Sequence, residues 1–101
     1  MGLIIKATPD KPIKIAGTVI DMTEVYGRIE FAARADGRTL EIAVGTYVSE
    51  ATFLQGMPIY TDVQQGNFQV QLADGEIQSL DTALEYAKKA YEQLGYNVEI
   101  V

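Results

Sequence analysis

Cysteine, histidine and tryptophan are absent from the 101 residues, and each absence removes chemistry. Without cysteine there is no disulfide and no thiolate nucleophile. Without cysteine and histidine there is neither a Cys/His zinc site nor an imidazole general base. The lack of cysteine fits a reducing, cytoplasmic setting or a fold that needs no staple. Positive charge is scarce: eight Lys and Arg stand against fourteen Asp and Glu, a formal charge of −6. The basic residues are also scattered, and residues 51–101 hold only Lys88 and Lys89. Sequence-independent nucleic-acid binding is built from clustered Lys and Arg, so no nucleic-acid partner is expected. Long apolar runs are missing too. Leu3-Ile4-Ile5 falls far short of a secretory h-region, and nothing approaches the roughly 20 residues that span a bilayer. No signal peptide, transmembrane segment or membrane partner is expected. Lys6 stands where a myristoylation motif wants Ser or Thr.

What is present is ordinary for one globular domain covering 1–101: 48% hydrophobic and 22% charged residues. At this length a folded chain hides about 60–70% of its unfolded surface, enough for a modest core. Residues 3–7 and 13–20 read as strands separated by Pro9-Asp10-Lys11-Pro12, because each proline lacks an N–H donor. In the second of these, Ile13, Ile15 and Val19 share a face with Gly17, which suggests a bulge. Pro58–Val63 and Phe68–Leu72 read as a hairpin around Gln64–Asn67. Between them and the earlier strands, Ser49 is a natural N-cap for one helical turn ending before Gly56.

The clearest signal is a hairpin around Asp36-Gly37, a favoured pair for a type I′ turn with positive φ at both central residues. A two-residue loop pairs Ala33 with Leu40, Phe31 with Ile42 and Ile29 with Val44. All fall on one face, so a single register explains the apolar pattern of both strands. The opposite face then carries Tyr26, Arg28, Glu30 and Arg34 against Tyr47, Gly45, Ala43 and Thr39. Helical spacing takes over at Leu80, where Ala83, Leu84, Ala87, Tyr91 and Leu94 continue one stripe. Ser79 is its N-cap, Glu85 can pair with Lys89, and Gly95 supplies the left-handed C-terminal position. Tyr96, Val98 and Ile100 alternate into a last strand. The fold class expected is therefore α+β: about six short strands, mostly antiparallel, with one C-terminal helix packed on the sheet.

Little remains for catalysis. Ser49 and Ser79 are the only serines, and each serves as a helix cap. Glu30 and Glu41 lie diagonally across the hairpin, within the roughly 5–9 Å that paired carboxylates use in glycoside hydrolysis. Arg28 and Arg34 flank them, however, which suits a solvated charge ladder better than a desolvated acid. Asp74, Glu76 and Asp81 miss the rhythm of a calcium loop. Lone strand glycines do not make a phosphate cradle. No catalytic residue, metal or cofactor is assigned.

The six tyrosines are more suggestive, since tyrosine combines apolar area with a hydroxyl and is enriched at interfaces. Tyr26 and Tyr47 oppose each other beside Ala32, Ala43 and Gly45, a face low in bulk and charge. The expected contact surface is Tyr26, Arg28, Glu30 and Tyr47, with a partner subunit or a second layer upon it. Tyr26→Asp is then expected to dissociate an oligomer and leave the monomer folded.

Val25-Tyr26-Gly27-Arg28-Ile29-Glu30, with Leu40–Tyr47, Ser49-x-Ala51-x-Phe53, Pro58-Ile59 and Ala90-Tyr91, resembles small uncharacterised proteins encoded among tail and baseplate genes of tailed bacteriophages. The resemblance implies a structural, virion-associated role with no assigned catalytic residues, and a cytoplasmic or virion location. The reading that follows is a non-enzymatic structural or interaction protein, a homo-oligomer or a binder of other structural proteins. Its rivals are a small-molecule or peptide-binding module with a pocket between helix and sheet, Tyr86 and Tyr91 at its mouth, and an enzyme using Glu30 and Glu41.

Overall fold

The computed structural model describes residues 2–17, 19–61, 63 and 68–101. Its centre is the long hairpin of β4 (Glu24–Ala33) and β5 (Thr39–Tyr47). Around it, β1 (Leu3–Lys6), β6 (Phe68–Gln71) and β7 (Asn97–Ile100) complete a curled five-stranded sheet in the order β6-β5-β4-β1-β7, antiparallel throughout. Two very short strands, β2 (Ile13–Lys14) and β3 (Asp21–Met22), form a separate two-stranded sheet. Two helices complete the fold: α1 (Glu50–Leu54) after β5, and α2 (Leu80–Gln93) between β6 and β7. Among the described residues no helix is long and apolar enough to cross a membrane. The α+β class expected from the sequence is the one observed, with seven strands among the described residues rather than about six.

One face of the sheet carries Leu3, Ile5, Val25, Ile29, Leu40, Ile42 and Val44, all buried. Helix α2 lies on this inner face through Ala83, Leu84, Ala87 and Tyr91, while Leu80 and Leu94 mark the exposed ends of its stripe. Burying one such aliphatic side chain is worth about 1.5–3 kcal/mol, so this seam dominates the core. The helix starts where Ser79 Oγ accepts the Thr82 N–H (3.3 Å). It stops in a Schellman motif: the Tyr96 N–H reaches the Tyr91 carbonyl (3.2 Å) and the Gly95 N–H reaches the Glu92 carbonyl (3.1 Å). Gly95 holds φ +106°, which a side chain would strain. Lys89 lies over the Tyr86 ring, 5.7 Å from its centroid, rather than against Glu85.

The hairpin register is the expected one, from Tyr26↔Tyr47 to Ala33↔Leu40. Its turn is not. Only Gly37 has positive φ (+76°), so Asp36 stays in an ordinary conformation and the type I′ expectation fails. The loop is longer because Asp36 acts as an acceptor. Its carboxylate takes the Arg38 N–H (2.9 Å), the Thr39 N–H (3.0 Å) and the Thr39 hydroxyl (2.7 Å). Those bonds, the Thr39 hydroxyl foremost, hold its pKa below the usual carboxylate range.

Two other expectations fall. Residues 13–20 are not one strand: the chain turns at Ala16–Gly17, and β2 pairs with β3. Val19 is 89% exposed rather than facing with Ile13. The described residues of 58–63 likewise form no strand with β6. Ile59 bonds back to Thr46 (3.0 Å), and Thr61 bridges Ile15, so this segment clips the small sheet to the end of β5. Thr46 is itself buried, its hydroxyl donating to the Ile59 carbonyl (2.8 Å). The turn expected at Gln64–Asn67 lies outside the described residues.

Gly95→Ala is expected to lower the free energy of unfolding by about 1–2 kcal/mol, read from urea denaturation, because alanine pays the left-handed penalty at that φ. Tyr91 generates a second expectation. Burial, followed by the neighbouring Tyr96, pushes its pKa up to about 12 from an ordinary value of 10. The folded state thus keeps the phenol proton longer than the unfolded chain does. Its stabilisation is complete below pH 10 and declines as pH rises towards 12, by up to about 2–3 kcal/mol. Denaturation midpoints across that window should fall more steeply for the native chain than for Tyr91→Phe.

Candidate functional site

The outer face of the sheet collects the residues that alternate with the core: Ile4 and Lys6 on β1, Tyr26, Arg28, Glu30 and Ala32 on β4, Glu41, Ala43, Gly45 and Tyr47 on β5. What covers it is decided just after β5. Ser49 caps α1 reciprocally with Thr52: the Thr52 N–H donates to Ser49 Oγ (3.4 Å) and the Ser49 N–H to Thr52 Oγ1 (3.0 Å). With its start fixed two residues beyond Tyr47, α1 folds back over the aromatic end of the face. Phe53 then meets Tyr47 edge-on at 5.1 Å between centroids and Tyr26 at 6.0 Å. The Arg28 guanidinium sits 4.7 Å from the Phe53 centroid and donates to the Tyr26 hydroxyl (3.0 Å).

This arrangement brings Arg28, Glu30 and Tyr47 together as predicted. With Phe53, Ala43 and Gly45 they line a depression of about 270 Å³. Tyr26 does not join them at the surface. It is 2% exposed, sealed beneath Phe53 and Arg28, with its hydroxyl packed so closely over Gly2 that a Cβ there would fall 2.6 Å from it. The expectation that Tyr26 is a contact residue whose replacement by Asp spares the monomer is therefore corrected: its ring is core. Phe53 is the residue that sequence reading missed. The Ser49-x-x-Thr52 capping pair marks where the helix begins, but no local pattern says which sheet face a five-residue helix will choose.

Beyond the aromatic cluster the face turns ionic. Arg34 donates to Glu41, and Gln69 donates to the same carboxylate (2.9 Å). These two bonds, Arg34 foremost, hold the Glu41 carboxyl below its usual pKa, so it stays ionised near neutrality rather than serving as a proton donor. The charge-ladder reading of Glu41 with Arg34 is thus the arrangement present, while Arg28 is engaged with Tyr26 and Phe53. The acidic group near residue 75 is dispersed in the same way. Glu76 accepts from the Ala73 N–H (2.7 Å) and the Tyr86 hydroxyl, and Asp74 pairs with Arg38 (3.3 Å).

The far end of the hairpin forms an arm with unequal sides. On the β5 side the Leu72 N–H bonds the Arg38 carbonyl (2.7 Å), while Gln78 bridges the end of β4 and the start of β5 by donating to the Arg34 and Thr39 carbonyls (2.9 Å each). On the β4 side, β1 pairs only with Glu24–Gly27, and residues 30–38 are exposed. Among the described residues no strand lies along Phe31–Ala33, and the Phe31 ring is 36% exposed. A separate apolar pocket of about 260 Å³ lies between α2 and β6, lined by Phe68, Ala90, Tyr91, Gln93 and Leu94. Tyr86 is not at its mouth, being bonded to Glu76.

Phe53→Ala is expected to destabilise the fold by about 2 kcal/mol, less than the 3–5 kcal/mol of a wholly buried phenylalanine because Phe53 keeps some exposure. Tyr26→Asp should cost more, since it buries a carboxylate under apolar rings. Thermal unfolding of both variants checks the order. Compared with known proteins, the chain matches no family model, no curated protein and no solved structure.

Proposed function

We propose that this chain is a non-enzymatic structural or interaction protein that acts by self-association, in the virion-associated role that its likeness to tail and baseplate gene products implies. One observation carries the reading: β4 runs past β1, and among the described residues no strand pairs with its edge at Phe31–Ala33, where a phenylalanine is exposed. An open edge is a row of unused donors and acceptors that a folded protein must blunt, cover or pair. Here the side chains along it include two alanines and an aromatic ring, with neither proline nor lysine among them.

The arrangement of the other polar groups supports the same reading. Ser49 and Ser79 cap helices, Asp36 holds the turn, and Glu41 and Glu76 are each engaged by two donors. The rival reading as a small-molecule or peptide module has the α2–β6 pocket in its favour. That pocket is lined by Tyr91 but not by Tyr86, which Glu76 engages, and the reading preferred is the one the β4 edge supports.

Light scattering across a concentration series, run beside a thermal-shift screen of small molecules, separates the two. A mass that climbs above the 11.1 kDa monomer as concentration rises is the expected result. A constant 11.1 kDa mass overturns the proposal, and thermal-shift hits on that monomer would transfer the assignment to the pocket.

A further inference from the structure

We infer that the partner on the open edge is a second copy of this chain, bound by antiparallel β4–β4′ pairing centred on Ala32. The inference rests on the self-association reading and names its geometry. The Arg34 N–H bonds the Thr39 carbonyl (3.0 Å), so Arg34 directs its N–H at the β5 side. Bonded and non-bonded pairs alternate along an antiparallel ladder, so the even-numbered residues of β4 point their backbone groups at β5. The odd-numbered ones point the other way. The bond from the Ala7 N–H to the Thr23 carbonyl (2.9 Å) on the β1 side obeys the same parity. Phe31 and Ala33 therefore direct their N–H and C=O groups outward, where among the described residues no strand receives them.

A two-fold antiparallel pairing must join odd residues to odd residues, which leaves few registers. Centred on Ala32, it pairs Phe31 with Ala33′ through backbone bonds and sets Glu30 opposite Arg34′, twice by symmetry. Centred on Phe31, it opposes Arg28 to Arg34′. Centred on Ala33, it opposes Glu30 to Asp36′. Like charges directly across a sheet are destabilising and opposite charges stabilising, so the Ala32 register is selected. Its sterics agree, because each half-exposed Phe31 ring lies beside a partner's small Ala33 on the same face. Glu30 is exposed, and the Arg34 side chain, though paired with Glu41, is 53% exposed and can serve both carboxylates. The pairing fuses two five-stranded sheets edge to edge. Only about five residues per copy take part, so the contact lies at the small, weak end of protein interfaces.

Sedimentation equilibrium of the full untagged chain tests this, from about micromolar to millimolar concentration as a weak contact requires. Untagged chain is used so that no added N-terminal residues prolong β1 along the same edge. Glu30→Lys sets a lysine against Arg34′ twice, and Arg34→Glu sets a second glutamate against Glu30′ twice. Each alone should dimerise at least about tenfold more weakly. Mixed in equal amounts, the two variants restore an opposite-charge pair at both places. The introduced lysine faces the introduced glutamate, the remaining Arg34 faces the remaining Glu30′, and dimerisation should return as a heterodimer. Ala33→Pro removes an outward N–H that the monomer does not use. It should abolish the dimer with an unchanged circular dichroism spectrum. A native chain that associates while these variants and their mixture behave like it would overturn the β4–β4′ register and leave self-association standing. A native chain that stays monomeric throughout would overturn both.

Discussion

The pairing of β4 with β5 is the constraint on which everything else hangs. Its eight residue pairs, Tyr26↔Tyr47 through Ala33↔Leu40, decide which side of the sheet every residue of both strands occupies. Side chains alternate with period two, so a slip of β4 by one residue would turn Arg28 toward the core face and Ile29 out to solvent. That guanidinium would lose its solvation with no prepared partner, at a cost of about several kcal/mol. With the register set, the inner stripe of Ile29, Leu40, Ile42 and Val44 is continuous and α2 has a surface to cover. β1 joins one side of this ribbon and β6 the other, each extending the same division between faces.

The two faces are then finished by different means. The inner face is sealed by a fourteen-residue helix with a capped start, a Schellman end and four buried side chains. The outer face receives only the five residues of α1, enough to close over Tyr26 and no more. What lies past Phe53 is stabilised by exposed hydrogen bonds and ion pairs, of which Arg34–Glu41–Gln69 is the most connected. Exposed pairs of this kind contribute little to folding stability. In the proposed β4–β4′ pairing their weight would fall on specificity, since opposite charges at Glu30 and Arg34 would favour one alignment over its neighbours.

Strand length produces the asymmetry of the hairpin arm. β5 is met by β6 and by the chain around residues 72–78, whereas β4 continues six residues beyond Gly27, where its pairing with β1 ends. The same residue parity that turns Phe31 and Ala33 toward the inner face also turns their backbone groups to the side where, among the described residues, no strand lies. A partly exposed ring and this uncovered edge thus fall on the same stretch of chain.

Much of this was legible in the residues themselves, and the reason is local. Alternation across Ile29–Ala33 and Leu40–Val44 specified the register, because only one pairing puts all the apolar side chains together. Ser49, Ser79 and Gly95 announced helix ends through backbone groups that need partners within a few residues. Other features depended on distant parts of the chain. Asp-Gly at the turn favours a tight loop, yet Asp36 found donors at Arg38 and Thr39 and the loop lengthened. Ile13–Ile20 alternates like one strand, but it folded on itself because the segment near Thr61 was available to pair with Ile15. Tyr26 and Tyr47 look identical in sequence, one on each strand of a cross-strand pair. Only the return of α1 buried the first and left the second at the surface. Sequence by itself determined the α+β class, the register and the absence of thiol and imidazole chemistry, since these follow from side-chain periodicity and residue identity. Tertiary structure alone decided which tyrosine is core and how far β1 runs along β4, because burial and pairing depend on what packs from elsewhere in the chain.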